Sequence, residues 1–434
     1  MKKFIDTIKN IFSIEELRTR ILNTIGFLII FRMGSFVVLP GIDASKLTGA
    51  SGIFGLLDTL LGGAFSNASV FALGIMPYIS ASIVLQLMTV AVPYFQKLQK
   101  EGDSGRKKIN QLTRFLTIGI CMAQGFSYVS AAIEPTAIID NSFFFKISSV
   151  VILTSGTIFC MWLGEKITDK GIGNGISMLI MIGIISRFPG SIASEVITRG
   201  MSEALILILE FVALFFVVLV TVALVQAVRR VPVQYAKQVV GNKVYGGQRQ
   251  YIPLKVNASG VMPIIFAQSI MFLPAMLAGL WRDQSDFANY IGTTFSDFTS
   301  WQYNLTFAIM IIVFTFFYTA ITINPNQIAD DMKRNGGFVP GIKPGKQTAE
   351  FLDNILSRIT LPGSLFLAII AILPAFAMIA GVNQTFAQFY GGTSLLIMVG
   401  VILDTLQQIE SYLLMRHYEG MMKSGRVKGR TQAA

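Results

Sequence analysis

Residues 204–227 read ALILILEFVALFFVVLVTVALVQA, 24 residues with a single charge, Glu210. About 20 mostly apolar residues are enough for a helix to cross the hydrocarbon core of a bilayer. The rest of the chain agrees with this stretch. Of 434 residues, 53% are hydrophobic and 14% charged, against roughly 25% charged in an ordinary soluble domain. The apolar residues gather into ten runs, at about 21–39, 70–92, 115–133, 144–163, 176–188, 204–227, 261–281, 303–323, 360–379 and 395–415, of which the fifth is the shortest. The connections between them are too small for a soluble domain with its own core. A plain cytosolic enzyme is excluded, and a polytopic membrane protein is expected.

The charge is lopsided, with 35 Lys+Arg against 24 Asp+Glu and a net of +11. A basic excess fits nucleic acid, anionic lipid or a docking face for a partner, and its distribution along the chain decides among them. Taking alternate connections, 29 of the 35 basic residues fall on one side, in 1–20, 93–114, 164–175, 228–259, 324–359 and 416–434. The other side receives Lys46, Lys146, Arg187, Arg199 and Arg282, and Arg32 lies inside the first run. By the positive-inside rule both termini are cytoplasmic and the number of spans is even. Residues 1–20 are amphipathic and charged, and no small-residue cleavage site follows the first run, so no cleavable signal is expected.

Two counts limit the chemistry. One histidine, His417, and two cysteines, Cys121 and Cys160 within apolar runs, leave no ligand set for zinc, haem or an iron-sulfur cluster and no Ser-His or Cys-His pair. No metal, cofactor or catalytic residue is expected. Pro344-Gly345-Lys346 is followed by Gln347 with no strand before it, so it is not a phosphate-binding loop and the chain has no visible means of hydrolysing ATP.

Several segments break the pattern of plain spans. Residues 52–65 are apolar but only 14 long, interrupted by Gly55, Gly62 and Gly63. They are too short to span, and read either as a re-entrant segment or as an amphipathic loop on the outer surface. The second run carries Gly74, Pro77, Ser80, Ser82 and Gln86, more polar and helix-breaking groups than a lipid-facing helix needs. Its Gly74-Ile-Met-Pro-Tyr-Ile79 is echoed by Gly260-Val-Met-Pro-Ile-Ile265 in the seventh run. Each is the second span of a five-span half, and the two run in opposite directions, as in an inverted repeat with a pathway at its interface. Ile75 and Ile79, and likewise Ile176 and Ile180, stand four apart and share a helix face. The connections 228–259 and 324–359 mix Lys and Arg with Gly, Pro and aromatics, which suits either an acidic partner or a simple topology determinant.

The segments FRMGSFVVLPGID (31–43), FALGIMPYISASIVLQLMTV (71–90), MWLGEKITDKGIGNGIS (161–177), PLKVNASGVMPIIFA (253–267), NPNQIADDMKRNGGFVPGIKPGKQTA (324–349) and GGTSLLI (391–397) closely resemble the bacterial SecY family, in order and over nearly the whole chain. The resemblance implies an all-α polytopic membrane protein with ten transmembrane helices in two inverted, pseudo-symmetric halves and a re-entrant plug helix. The halves would be residues 1–190 and 191–415, hinged in a loop at 187–203, with a cytoplasmic tail at 416–434. It implies a protein-conducting channel of the bacterial inner membrane. Such a channel passes unfolded secretory polypeptides and releases membrane helices sideways into the bilayer.

The family's apolar constriction ring falls on Ile75, Ile79, Ile176, Ile180, Ile265 and Ile397, and its plug on Gly52, Ile53, Phe54, Leu57, Leu60, Leu61 and Phe65. Ser80, Gln86 and Asn257 fall near the lateral gate. Arg229, Arg230, Lys243 and Lys343 fall in the loops that dock a ribosome or a SecA-type ATPase motor. At Lys343 the family turn normally carries arginine, so charge is kept but the planar, bidentate guanidinium is lost. Further implied partners are SecE-like and SecG-like small membrane subunits, signal sequences and unfolded preproteins, with anionic lipids favoured by the basic excess.

Two rival readings use the same broken helices. A secondary transporter would place ionisable residues at mid-membrane, but Glu210 lies near the outer end of its run and Asp404 and Glu410 in the inner half of theirs. An intramembrane protease would need a paired Asp motif or a usable histidine.

Overall fold

The computed structural model describes residues 12–47, 58, 61–133, 135–140, 142–200, 203–235, 238–240, 243–245, 249–268, 270–271, 286–297 and 299–423. The chain divides into two units, residues 1–190 with 400–434, and 191–399.

In the first unit, helix α1 (Glu15–Gly34) has Glu15 and Glu16 in its first turn and Arg32 in its last, each charge at the end of the helix dipole that favours it. Residues 61–75 then run through turns. Helix α2 (Met76–Ala91) starts on Pro77, whose missing N–H costs nothing in a first turn. The expected span from residue 70 therefore begins six residues late, because Gly74 sits at φ 52 and Pro77 suits only a helix start. Pro93 opens α3 (Pro93–Lys100), which meets α2 at a sharp bend. Helix α4 (Asp103–Ser127) buries Gly105, Thr113, Thr117, Cys121 and Gly125, a stripe of small residues of the kind that lets membrane helices approach closely. Helix α5 (Phe143–Lys170) follows, with Phe71, Phe159 and Trp162 stacked in succession at 5.8 Å and 5.7 Å.

Helix α6 (Gly175–Arg199) continues through Pro189. This corrects the expected short span 176–188 and the expected hinge loop 187–203, since residues up to 199 are helical. The glycine-rich turn before it is held on every side. Arg20 donates to the Gly171 carbonyl (3.2 Å), Thr24 accepts from the Ile172 N–H (3.0 Å) and Gln408 from the Gly173 N–H (2.9 Å).

In the second unit, helix α7 (Ala204–Gln226) buries only Glu210, Leu214, Thr221 and Leu224. Leu205, Leu209 and Phe215 are exposed. A helix that buries its Glu and a Thr yet leaves most of its large apolar side chains exposed is the reverse of a soluble helix and what lipid requires. The connection expected as a loop at 228–259 instead forms strands. Strand β1 (Val228–Tyr235) pairs antiparallel with β4 (Arg249–Lys255), and β2 (Gln238–Val240) with β3 (Lys243–Tyr245). Helix α8 (Asp286–Ser296) precedes α9 (Trp301–Thr322), and α10 (Pro325–Arg334) leads into β5 (Gly337–Phe338), which adds to the free edge of β1.

Helix α11 (Lys346–Ile379) has 34 residues, about 51 Å at 1.5 Å per residue, well beyond the roughly 30 Å hydrocarbon core. Its polar first turns extend past the expected span 360–379 and pack against the strands. Val231, Val233, Leu254, Met332, Val339, Leu352 and Leu356 form one buried cluster there. Helix α12 (Gly392–Lys423) is the last of the described elements.

Among the described residues six helices, α5, α6, α7, α9, α11 and α12, are long and apolar enough to cross a membrane, and the bent pair α2 and α3 makes a seventh if it is one span. Of the other expected spans, α1 and α4 begin with charged turns, and the seventh is described only over 261–268 and 270–271, helical from 262.

Candidate pore site

Seven side chains of the first unit, Phe31, Leu61, Ile75, Met76, Ile79, Leu179 and Ile180, surround a small cleft. All seven are apolar. Helix α1 supplies Phe31, the turn-rich stretch supplies Leu61 and Ile75, α2 supplies Met76 and Ile79, and α6 supplies Leu179 and Ile180. Ile79 lies one turn beyond Ile75, which is the N-cap of α2, and the two are buried together. A surface of this kind offers water no hydrogen bond, so a narrow passage lined by it dries readily.

The structure thus brings together three of the expected ring residues, Ile75, Ile79 and Ile180. Ile176 lies one turn earlier on α6, against Gly164 of α5. In the second unit, Ile265 is half-buried and Ile397 buried. Their helices are joined by the Thr393 hydroxyl, which donates to Gln268 Oε1 at 2.7 Å in a buried site. Gln268 and Thr393 lie one turn from Ile265 and Ile397, so this bond fixes where those two isoleucines stand within their unit.

Of the expected plug residues, Gly52, Ile53, Phe54, Leu57 and Leu60 lie outside the described residues. Leu61 and Phe65 are described and lie in turns, not in a helix. Leu61 lines the cleft, and the Phe65 carbonyl accepts from the Tyr128 hydroxyl at 2.7 Å.

Beside the cleft stands a polar cluster. Asp58 accepts from the Ser66 N–H (2.8 Å) and the Ser66 hydroxyl (3.0 Å), and is ion-paired with Arg187. Arg32 donates to the Gly62 carbonyl. The expected gate residues bond within their own segments: Ser80 donates to the Met76 carbonyl (3.1 Å), Gln86 to Ser82 (3.3 Å), and Asn257 accepts from Ser259 (3.3 Å).

A second charged cluster occupies the other unit. The Arg199 guanidinium donates to Glu195 (3.2 Å), Glu203 (2.9 Å), Glu210 (2.7 Å) and the Gly381 carbonyl (2.7 Å), while Glu195 also accepts from the Asn383 N–H (2.9 Å). The Tyr390 hydroxyl donates to the Glu210 carbonyl at 2.6 Å. Burial pushes this phenol well above the ordinary tyrosine range, and Glu210 and Glu195 add to the shift, so it stays protonated as a donor.

The basic residues expected to dock partners converge on the strand layer. Along β1, Val231 and Val233 enter the buried cluster, Arg230 falls on the opposite face, and Arg229, near the start of the strand on the valines' face, is exposed as well. Lys343 is exposed in the turn 339–345, which is anchored by buried Val339 and by the Thr348 hydroxyl donating to the Lys343 carbonyl at 2.9 Å. The Lys243 side chain lies outside the described residues.

Sequence reasoning had not singled out Phe31, Met76 and Leu179, or the pairing of Arg187 with Asp58. A signal existed for the charges. Arg32 inside a span and Asp58 inside an apolar glycine-rich segment are both costly in lipid unless paired.

Long apolar helices, interrupted by glycine and proline where they meet an apolar cleft, define a multi-pass helical membrane protein of the channel kind. The SecY family model matches residues 69–406. The protein translocase subunit SecY of Streptomyces coelicolor is 42% identical over 434 residues, covering 95% of this chain and 98% of the relative. The fold is similar to a solved protein-conducting channel, with a TM-score of 0.65, 15% identity and 91% and 92% of the two chains covered. It is also similar to Sec61 in a canine ribosome-channel complex, with a TM-score of 0.61, 15% identity and the same coverage. The chain belongs to the SecY family.

Proposed function

We propose that this chain is the pore-forming subunit of a protein-conducting channel in a bacterial inner membrane, with ten spans in two inverted halves and both termini cytoplasmic. The observation that carries this reading is the cleft lined by seven apolar side chains. Such a lining resists water and ions but holds an extended polypeptide without demanding particular hydrogen bonds. In this reading Ile75, Ile79, Ile176, Ile180, Ile265 and Ile397 form the constriction and residues 52–65 the plug. Ser80, Gln86 and Asn257 line the lateral gate by which a signal sequence or a membrane helix leaves, and SecE-like and SecG-like subunits complete the channel.

The exposed basic residues Arg229, Arg230 and Lys343, with Lys243, would dock a ribosome or a SecA-type motor. The likeness to Sec61 in a ribosome-channel complex supports the ribosome. Lys343 occupies a turn whose anchors, Val339 and Thr348, do not involve its side chain. Lys343→Glu is therefore expected to leave membrane abundance within about 1 kcal/mol of normal stability while abolishing motor-driven transport. Abundance by immunoblot and transport of a radiolabelled precursor check both halves.

The direct test is reconstitution of the complete complex in proteoliposomes, with an unfolded precursor and the motor outside. Motor-dependent protection of the precursor from protease is expected. Proton- or sodium-driven uptake of a small solute, with no protected precursor, would instead support a secondary transporter.

A further inference from the structure

We propose that Asp58, Ser66 and Arg187, with Arg32, form a polar latch that holds residues 61–66 against the apolar cleft, and that this latch sets how strong a signal must be to open the channel. The proposal rests on the channel reading above.

The latch and the cleft share a backbone. Phe31 and Leu61 line the cleft, and the residues immediately after them, Arg32 and Gly62, are joined by the guanidinium-to-carbonyl bond. Four residues further, Ser66 ties back to Asp58 through both its N–H and its hydroxyl, and Arg187 reaches Asp58 and the Ser66 hydroxyl (3.0 Å) together. The Gly63 N–H donates to the Asp58 carbonyl at 2.9 Å. Gly63 has φ 93, and a Cβ there would meet the Arg187 guanidinium, so the glycine admits the arginine as well as the turn. Two elements outside the segment, α1 and α6, thus each contribute an arginine to the stretch between Asp58 and Ser66.

Its strength suits a latch better than a permanent clamp. The Asp58 side chain is 10% exposed but that of Arg187 is 39% exposed, so solvent screens the pair and weakens it relative to a fully buried one. In the Arg199 cluster the exposures are 15% for Arg199, 0% for Glu195 and 6% for Glu210, and that cluster is the fixed one. Moving residues 61–66 away breaks the Asp58–Arg187 pair, the Ser66 bonds and the Arg32–Gly62 bond in a single step. An inserting apolar helix must supply that free energy.

The test uses the complete complex in proteoliposomes, reading resting ion leak and transport of two precursors, one with an intact signal and one with a shortened apolar core. Asp58→Asn and Arg187→Gln are each expected to raise resting leak and transport of the shortened-signal precursor by roughly tenfold. The double variant should do no more than the larger single, because both remove one interaction. Ser66→Ala strands no charge and should shift both readouts in the same direction by less, so it decides the matter if a charge variant fails to accumulate. Unchanged leak and threshold in these variants, or fully additive effects, would overturn the latch while leaving the channel intact. Failure of the unmodified complex to transport the intact-signal precursor would instead overturn the channel reading.

Discussion

Ile79→Asn combined with Ile180→Asn is expected to make the resting channel leak ions. Both isoleucines line the cleft with Phe31, Leu61, Ile75, Met76 and Leu179, and none of these side chains can hold a water molecule by hydrogen bonding. A passage of this kind stays closed to ions by excluding water. Asparagine is smaller than isoleucine and carries two donors and an acceptor, so each substitution stabilises water where there was none. A rise of roughly tenfold per asparagine corresponds to about 1.4 kcal/mol off the wetting barrier, well within what one amide's hydrogen bonds supply. Proton leak into proteoliposomes loaded with a pH-sensitive dye measures it, with Ile79→Val and Ile180→Val as apolar controls that should stay sealed. Equal leak from the asparagine and valine variants would separate the cleft from the permeability barrier.

Arg199→Met should have the largest effect on stability. Arg199 donates to three carboxylates, and the side chains of Glu195 and Glu210 are 0% and 6% exposed. Taking away the cation leaves two carboxylates without their partner in a site that water reaches poorly, a situation that costs about 3–5 kcal/mol. Whole proteins hold only about 5–15 kcal/mol, so the variant is expected to unfold at markedly lower temperature in detergent and to accumulate poorly. Glu203→Gln alters the exposed member of the cluster, 45% exposed, and should cost no more than about 1 kcal/mol. A thermal scan of both variants checks the contrast, and a wild-type melting temperature for Arg199→Met would mean the cluster does not hold α6, α7 and residues 381–390 together.

How much of this was readable beforehand depended on which interaction decided each feature. Helix α7 was legible at once, since 24 residues with one charge have no stable home outside a bilayer. The fifth run ends at 188 and the resemblance implies a hinge loop at 187–203, yet α6 continues through Pro189 to Arg199, because a proline within a membrane helix is tolerated where neighbouring groups satisfy the freed carbonyl. The charges of Lys346, Glu350 and Arg358 read as loop, whereas they lie on the polar first turns of α11. The strands were hidden because the residues that pin β1, Met332 and Leu352 among them, lie about a hundred positions away.

The site was half legible for a similar reason. The spacing of Ile75 and Ile79 gives a shared face, but Ile29 and Ile208 are exposed on the outside of their helices, so composition cannot separate pore from lipid. Glu195, Arg199 and Glu203 stand four apart and look like surface pairs. Only packing against residues 381–390 buries Glu195 and most of Arg199.

If this chain forms the pore, a polypeptide in transit passes through the apolar cleft. The most direct measurement places a photo-reactive amino acid at Ile79, and separately at Ile265, in the complete complex and traps a secretory precursor in transit. Adducts to the arrested chain are expected from both positions and none from the exposed Leu205 of α7. An arrested, protease-protected precursor that gives no adduct from either Ile79 or Ile265 would contradict the pore assignment.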